Sequence, residues 1–430
     1  MSRRPIVLAA YQCAPGQGSV SQIGWEWASR LARQRPILLL THVRNRSAIE
    51  AAGSLATGSE IRYIDTEWFA GPLFRLARRL FPRSEHGVFL IASLDFFLYD
   101  WLALRELRRD LRRGQQFELV HVVTPVTLAA PTRLHRAGLP LVRGPLNCGL
   151  HSPPGFAEQL DDESPWLIRL RELPRLLDGL FGSTRRAGLV LAATEATRRA
   201  VPSRHHGKIR RMLENGIDLE HFEAAPWPAP PADDQALEVL FVGRMIRLKG
   251  VDLLLRAVKR VQASRRPLRV TLVGDGPARS EWQTLARDLG LSQSVRFTGA
   301  LDRDGVARAM HNCHVFCLPS VRESGGAVLL EAMASARPVI ALDHGGPAEL
   351  VDDAVGKAIS LDHPDQVIED LARTLASIFT QPEHWRACGL TGREKVERTW
   401  SWESKVHAAE TLYHELVPTR AISPDCQTTP

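Results

Sequence analysis

The chain has 430 residues, 44% of them hydrophobic and 24% charged, which is enough for two domains with separate cores and too apolar for general disorder. Its formal charge of +7 is unevenly shared: residues 1–200 hold 27 Arg and no Lys against 18 acids, whereas residues 201–430 hold 28 cations against 30 acids. Six scattered cysteines argue against a disulfide framework and fit a reducing, cytoplasmic compartment; the basic stretches contain no RNA- or DNA-binding motif, so nucleic acid is not an expected partner.

The apolar run at residues 6–10 is too short for a secretory leader and reads as a first strand. A helix at 25–34 and a strand at 37–42 follow. The stretch 71–83, GPLFRLARRLFPR, interleaves Phe and Leu with Arg and could lie on an anionic membrane surface. Asp95 and Asp100 break the best candidate for a membrane span, residues 88–103. Strands are expected at 119–123 and 189–193. A break comes at residues 225–235, APWPAPPADDQ, whose prolines can continue neither a helix nor a central strand. Beyond it come strand 238–242, helix 251–261, strand 268–273, helix 281–289, strands 295–297 and 315–318, helix 327–335 and strand 339–342.

This alternation is the rhythm of open parallel sheets covered by helices. It predicts an α/β chain with two Rossmann-like, doubly wound domains facing across a cleft. The first spans 1–224, the linker 225–236 and the second 237–398; a final helix at 399–417 precedes an unstructured tail, 418–430. Ligands of such sheets bind beyond the carboxyl ends of the strands, so the cleft is the expected site.

Several motifs can be weighed chemically. In FVGRMIRLKG, Arg244, Arg247 and Lys249 lie between a strand and a helix N-terminus, a setting for a diphosphate. Neither Gly16-x-Gly18 nor Gly274-x-Gly276 completes a dinucleotide fingerprint, because Ser21 and Arg279 occupy the third glycine's place. The turn at Gly274 still suits close backbone approach to another ligand. HNCHVFC (311–317) enters a core strand, so its His and Cys side chains alternate and cannot converge on one metal ion. Asp302 reads as a helix N-cap.

The most informative stretch is RESGGAVLLEAM. Glu323 falls at the mouth of a loop and Glu331 on an otherwise apolar helix, where a carboxylate needs a partner. With Ser324, Gly325 and Gly326 between them, the two acids can grip different hydroxyls of one ligand while glycine N–H groups meet its phosphate.

Read together, PSVRESGGAVLLEAMASARPVI, FVGRMIRLKG, LVGDGP, ENGID (214–218) and GGPAEL (345–350) resemble family 4 of the retaining GT-B glycosyltransferases. In the first half, YQCAPGQGSVSQIGWEWASRLA, HVVTP and RGPLNCG are similar to a subgroup associated with surface polysaccharide assembly. TWSWESKVHAAETLYHEL resembles the family's last helix, which crosses back to the first domain.

The resemblance implies a GT-B enzyme moving a hexose from a nucleotide diphosphate sugar to a hydroxyl of a glycan or lipid-linked glycan, with no metal or other cofactor. Arg244, Arg247 and Lys249 would meet the diphosphate, Glu331 the ribose, and Glu323 with residues 324–326 the transferred sugar. Gly274 would lie near the donor, backbone at Phe297 and Ala300 would recognise the base, and the loop of Gly16, Gly18 and Ser19 would cover the phosphates or admit the acceptor. His121 is a catalytic candidate, although the family's usual histidine two positions on is Val123. Arg337 and His314 also depart from the family's glycine and aspartate. A nucleotide-sugar epimerase and a non-catalytic binding protein of an assembly complex are the alternatives.

Overall fold

The computed structural model describes residues 4–56, 58–80, 94–150, 153–156, 159, 173–232, 235–264 and 266–417. Two sheets are present, and every strand pairing within them is parallel. The first contains β1 (Ile6–Ala10), β2 (Ile37–His42), β3 (Glu60–Ile64), β4 (Val120–Thr124), β5 (Leu141–Leu146), β6 (Leu189–Ala192) and β7 (Ile209–Arg211), in the order β3-β2-β1-β4-β5-β6-β7. The second contains β8 (Leu237–Val242), β9 (Leu268–Val273), β10 (Val295–Gly299), β11 (Val315–Leu318), β12 (Val339–Leu342) and β13 (Gly356–Ile359), in the order β10-β9-β8-β11-β12-β13. In each the chain winds one way from a central strand and then the other, which makes both doubly wound. The switch points fall between β1 and β4 and between β8 and β11.

The central strands are buried on both faces, which is why they are continuous apolar runs rather than alternating ones. The strands furthest from such a run are β3, β5, β7, β10 and β13, and β10 (VRFTG) has no fully buried residue. β3 (EIRYI) is half-buried at an edge, and β7 (IRR) is an edge strand of three residues. β5 contains Gly144-Pro145, and β13 (GKAI) buries only its two end residues.

Two segments join the domains side by side. Ile217 N–H donates to Trp400 O at 3.0 Å and Trp402 N–H to Ile217 O at 3.1 Å. Beyond this crossing the last helix, Trp402–Leu416, lays Trp402, Val406, Ala409 and Tyr413 against Ile23, Trp27 and Leu31 of the first helix, Gly18–Gln34.

His314 and Arg337, the departures noted above, both hold the linker. The His314 ring bonds Ala229 O at 2.7 Å through Nε2 and accepts from Glu238 N–H at 3.0 Å through Nδ1, while its carbonyl accepts from Trp227 Nε1 at 2.8 Å. Arg337 is fully buried and donates to the carbonyls of Met310 (2.8 Å), Ala225 (3.2 Å), Pro226 (2.9 Å) and His311 (3.1 Å). Arg337→Gly would leave these carbonyls buried without their donor, so urea unfolding should show a loss of about 3 kcal/mol. An unchanged midpoint would mean that the linker does not depend on this clamp. The neighbouring metal-like residues are also committed: His311 Nε2 bonds Glu223 O at 3.0 Å and Cys313 Sγ donates to Met310 O at 3.3 Å.

Candidate functional site

The loops leaving β8 and β11 flank the second switch point. They are joined by Val321 N–H donating to Leu248 O at 3.0 Å. Gly250 lets them approach: its φ is +60°, and a Cβ there would stand 2.1 Å from Pro319 O. Lys249, the residue before it, donates its ammonium to Glu323 Oε2, and both side chains are largely buried. The two charges therefore neutralise each other, facing the place where an anion would enter.

Gly326 caps the helix Ala327–Ala334 at φ +65°, and its N–H leans toward Glu323 Oε1 at 3.4 Å. The N–H expected to await a phosphate is thus partly taken by Glu323. Gly325 is a glycine for another reason than ligand access, because a Cβ there would come within 2.3 Å of Glu214 Oε1 and 2.4 Å of Asn215 Nδ2.

One turn and a half along that helix stands Glu331, half-buried, with no hydrogen bond or ion pair from its carboxylate to any described residue. Loss of water pushes its carboxyl up to about 7, against a weaker opposite pull from the Arg303 guanidinium. An unpaired, desolvated acid at a switch point marks a place built to receive hydrogen-bond donors.

Glu323 and Ser324 form part of the wall of a cleft of about 850 Å³, together with Leu248. Asn147, Thr127 and Glu195 of the first domain line the opposite side. A volume of this size accommodates a sugar and part of its acceptor. Across one end, Glu349 ties the domains by accepting from Glu195 N–H at 2.8 Å and pairing with Arg211.

The other expected residues are placed variously. Arg244 is exposed, with no side-chain partner among the described residues, and remains available to an anion. Arg247 instead pairs with Glu281 at 3.0 Å. Gly274 serves the backbone: its φ is +133°, a Cβ would lie 1.9 Å from Gly243 O, and its N–H donates to Gly299 O at 2.8 Å. Phe297 is half-buried on edge strand β10 and Ala300 is exposed just beyond it. Gly16 is exposed at φ +71° with its N–H held by Gln22 Oε1 at 2.8 Å, while Gly18 opens the first helix and the side chain of Ser19 lies outside the described residues. Asp302 is the expected N-cap, accepting from Gly305 N–H at 2.8 Å.

His121, the catalytic candidate, has its side chain in the core rather than on the cleft wall. It is fully buried on β4, with Nε2 2.6 Å from Gly144 O, Nδ1 2.6 Å from the Tyr413 hydroxyl, and its ring edge-on to Trp27. Burial holds its pKa down at about 4, so it is a neutral core group docking the last helix.

Sequence reasoning missed Glu214, Asn147 and Lys405, which meet behind the Glu323 loop. ENGID and RGPLNCG had been singled out as motifs, but nothing in either shows that Asn147 would donate to the Glu214 carboxylate.

The fold and this geometry can be set beside known proteins. HepE of Anabaena, solved in complex with UDP, superposes with a TM-score of 0.61 at 17% identity over 95% of this chain and 99% of that one. The two-sheet architecture is therefore GT-B. The D-inositol 3-phosphate glycosyltransferase of Streptomyces scabiei is 28% identical over 90% of this chain and 84% of its own length. The enzyme of that name from Kribbella flavida is 34% identical over 49% of this chain and 52% of its own. The chain spans about half the length of the first curated relatives it matches. Residues 228–395, which carry the second sheet and both acids of the site, match the family model described as glycosyl transferases group 1.

Proposed function

We propose that the protein is a retaining glycosyltransferase that moves a hexose from a nucleotide diphosphate sugar to a hydroxyl of a glycan or lipid-linked glycan, in surface-polysaccharide assembly. The observation that carries this reading is the pair of carboxylates at the switch point. Glu323 is held by Lys249 at the cleft wall, and Glu331 waits without a described partner eight positions on.

In the reaction, Lys249 and Arg244 take the diphosphate, whose charge grows as it leaves. Lys249 then exchanges its pairing with Glu323 for one with phosphate, freeing Glu323 to accept from the sugar's hydroxyls. Glu331 accepts from ribose. The acceptor enters from the wall formed by the first domain, and the leaving phosphate assists removal of its proton. No metal is assigned a role.

Thermal shifts with UDP, GDP, ADP and their sugars test the donor site. A ligand at ~100 times its dissociation constant stabilises by ~2.7 kcal/mol, which in a chain of this length raises Tm by about 3 °C. One nucleotide should do so and the others should not; no shift with any would refute a nucleotide-sugar site here. Product analysis with and without acceptor then separates transfer from epimerisation. The named activity of the relatives makes D-inositol 3-phosphate a second acceptor to include.

A peripheral membrane contact forms part of the proposal. The helix Glu67–Leu80 buries Ala70 and Ala77 and leaves Trp68, Phe74, Leu76 and Leu80 exposed, with Arg75, Arg78 and Arg79 among them. Residues 81–83 of the stretch that suggested it lie outside the described residues. No helix among the described residues is long and apolar enough to cross a membrane. The basic, aromatic face matches an anionic headgroup layer. Flotation with phosphatidylglycerol vesicles is expected at low salt and is expected to weaken as salt rises. Failure to float at low salt, or equal flotation with neutral vesicles, would refute it.

A further inference from the structure

Glu214 stands three residues past β7, where the chain leaves the first sheet, and is only 4% exposed. Four parts of the chain meet around this residue. Asn147, from the loop after β5 and the cleft wall, donates Nδ2 to Oε1. Asn215, its neighbour, has Nδ2 3.5 Å from the same oxygen. Lys405, from the last helix and 3% exposed, donates to the carbonyls on either side, Leu213 and Asn215, the latter at 2.7 Å. Its ammonium also lies over the rings of Trp27 and Trp402, 5.8 and 5.0 Å from their centres. The fourth part is the loop carrying Glu323, whose Gly325 backbone is pressed so close that a Cβ would meet Glu214 Oε1.

This cluster is costly for a merely structural device. Oε2 of Glu214 is buried without a hydrogen-bond partner. Burial raises the pKa of Glu214, with a further push from the like charge of Glu323 and an opposing pull from Lys405. Burial likewise draws Lys405 down to about 7. A well-packed apolar group would hold the same elements together with less penalty. The charge is instead placed where the wall of the first domain, the last helix and the sugar-binding loop can be set relative to one another.

We propose that Glu214 is a positioning residue for sugar transfer: held by Asn147 and Lys405, its carboxylate fixes the backbone of residues 324–326 relative to the first domain, so that Glu323 and an acceptor on the opposite wall are brought into line. This rests on the glycosyl transfer proposed above. Glu214 touches no cleft surface itself and acts through Gly325.

The test uses the full chain with two variants. Glu214→Gln keeps the shape and an acceptor oxygen for Asn147 but loses the charge, whereas Glu214→Ala removes the support. The nucleotide diphosphate that binds the parent should bind both variants within about threefold, since Lys249 and Arg244 are intact. Displacement of the reacting groups by about 1 Å costs on the order of a hundredfold, so kcat should fall about a hundredfold in Glu214→Ala and about tenfold in Glu214→Gln, with KM for the donor nearly unchanged. Amide hydrogen exchange at Gly325 and Gly326 should quicken at least about tenfold in Glu214→Ala relative to the rest of the second domain. Unchanged kcat in both folded variants, or faster exchange spread evenly over the chain, would overturn the proposal. If Glu214→Ala does not fold, Asn147→Ala, altered at the cleft wall, must show the same local exchange and the same fall in kcat. A parent that binds nucleotide but transfers no sugar would end the transferase reading, and the exchange result would still decide whether Glu214 holds the loop.

Discussion

Glu323→Ala should lower kcat for sugar transfer by about a thousandfold and leave binding of the nucleotide diphosphate as tight as in the parent or tighter. The two halves of this expectation have one cause. In the empty site Glu323 pairs with Lys249, so a diphosphate must displace a carboxylate before it reaches the ammonium. Removing Glu323 frees Lys249 and lowers that barrier to binding. It also removes the acid proposed to hold the transferred sugar, whose hydrogen bonds strengthen as the sugar becomes electron-poor. A thousandfold is about 4 kcal/mol of transition-state stabilisation, the upper end for one charged group in a water-poor site. Lys249→Ala should differ in kind: nucleotide affinity and kcat fall together, since phosphate is bound before and during transfer. Isothermal titration and initial rates on both variants check the contrast. Transfer by Glu323→Ala at the parental rate would withdraw its assignment, and weaker nucleotide binding in that variant would refute competition within the pair.

Much of the fold was legible because buried parallel strands leave an unmistakable mark. β1, β11 and β12 are uninterrupted apolar runs, β2 is one as far as Leu40, and their limits follow from the residues alone. Edges and interruptions are harder. β7 is three residues long with two arginines outside, and β5 carries a glycine and a proline that argue locally against a strand. In the candidate site, Glu323, Glu331, Lys249 and Arg244 stand out in the sequence because their types and spacing carry chemistry, and their roles rest on the proposal above. Gly325, Gly274 and His121, expected at the ligand or the reaction, have close neighbours within the protein: Gly325 has Glu214, Gly274 has Gly243, and His121 has Gly144 and Tyr413. A glycine or histidine in a motif does not say which neighbour it accommodates. That neighbour is often more than a hundred residues away, as Tyr413 is from His121.

Glu331→Gln should make the empty protein more stable at pH 8, by about 2 kcal/mol in urea unfolding, while weakening its hold on the donor. The carboxyl has a pKa of about 7 in the folded chain against 4.5 without the fold's influence, because it is desolvated and, among the described residues, only Arg303 lies near enough to favour its charge. The folded state therefore binds the proton more tightly than the unfolded state does. Stability attributable to Glu331 is intact below pH 4.5, declines as pH rises toward 7 and stays lost above it. The variant has no such decline, so the two unfolding curves should nearly coincide at pH 4.5 and separate by pH 8. Binding has the opposite sign. In the proposed site ribose hydroxyls donate to the ionised carboxylate, so the parent's affinity for an intact nucleotide sugar should rise as pH climbs through 7, whereas that of Glu331→Gln should be flatter and weaker at pH 8. An intact sugar donor is the right probe, since its diphosphate has no free terminal phosphate to titrate near pH 6. If the variant gains no stability at pH 8, Glu331 is not strained in the empty state. If its affinity tracks the parent's from pH 5.5 to 8, the carboxylate does not hold the donor. Both signs appearing together would show a charge kept at the expense of the empty fold because the occupied cleft uses it.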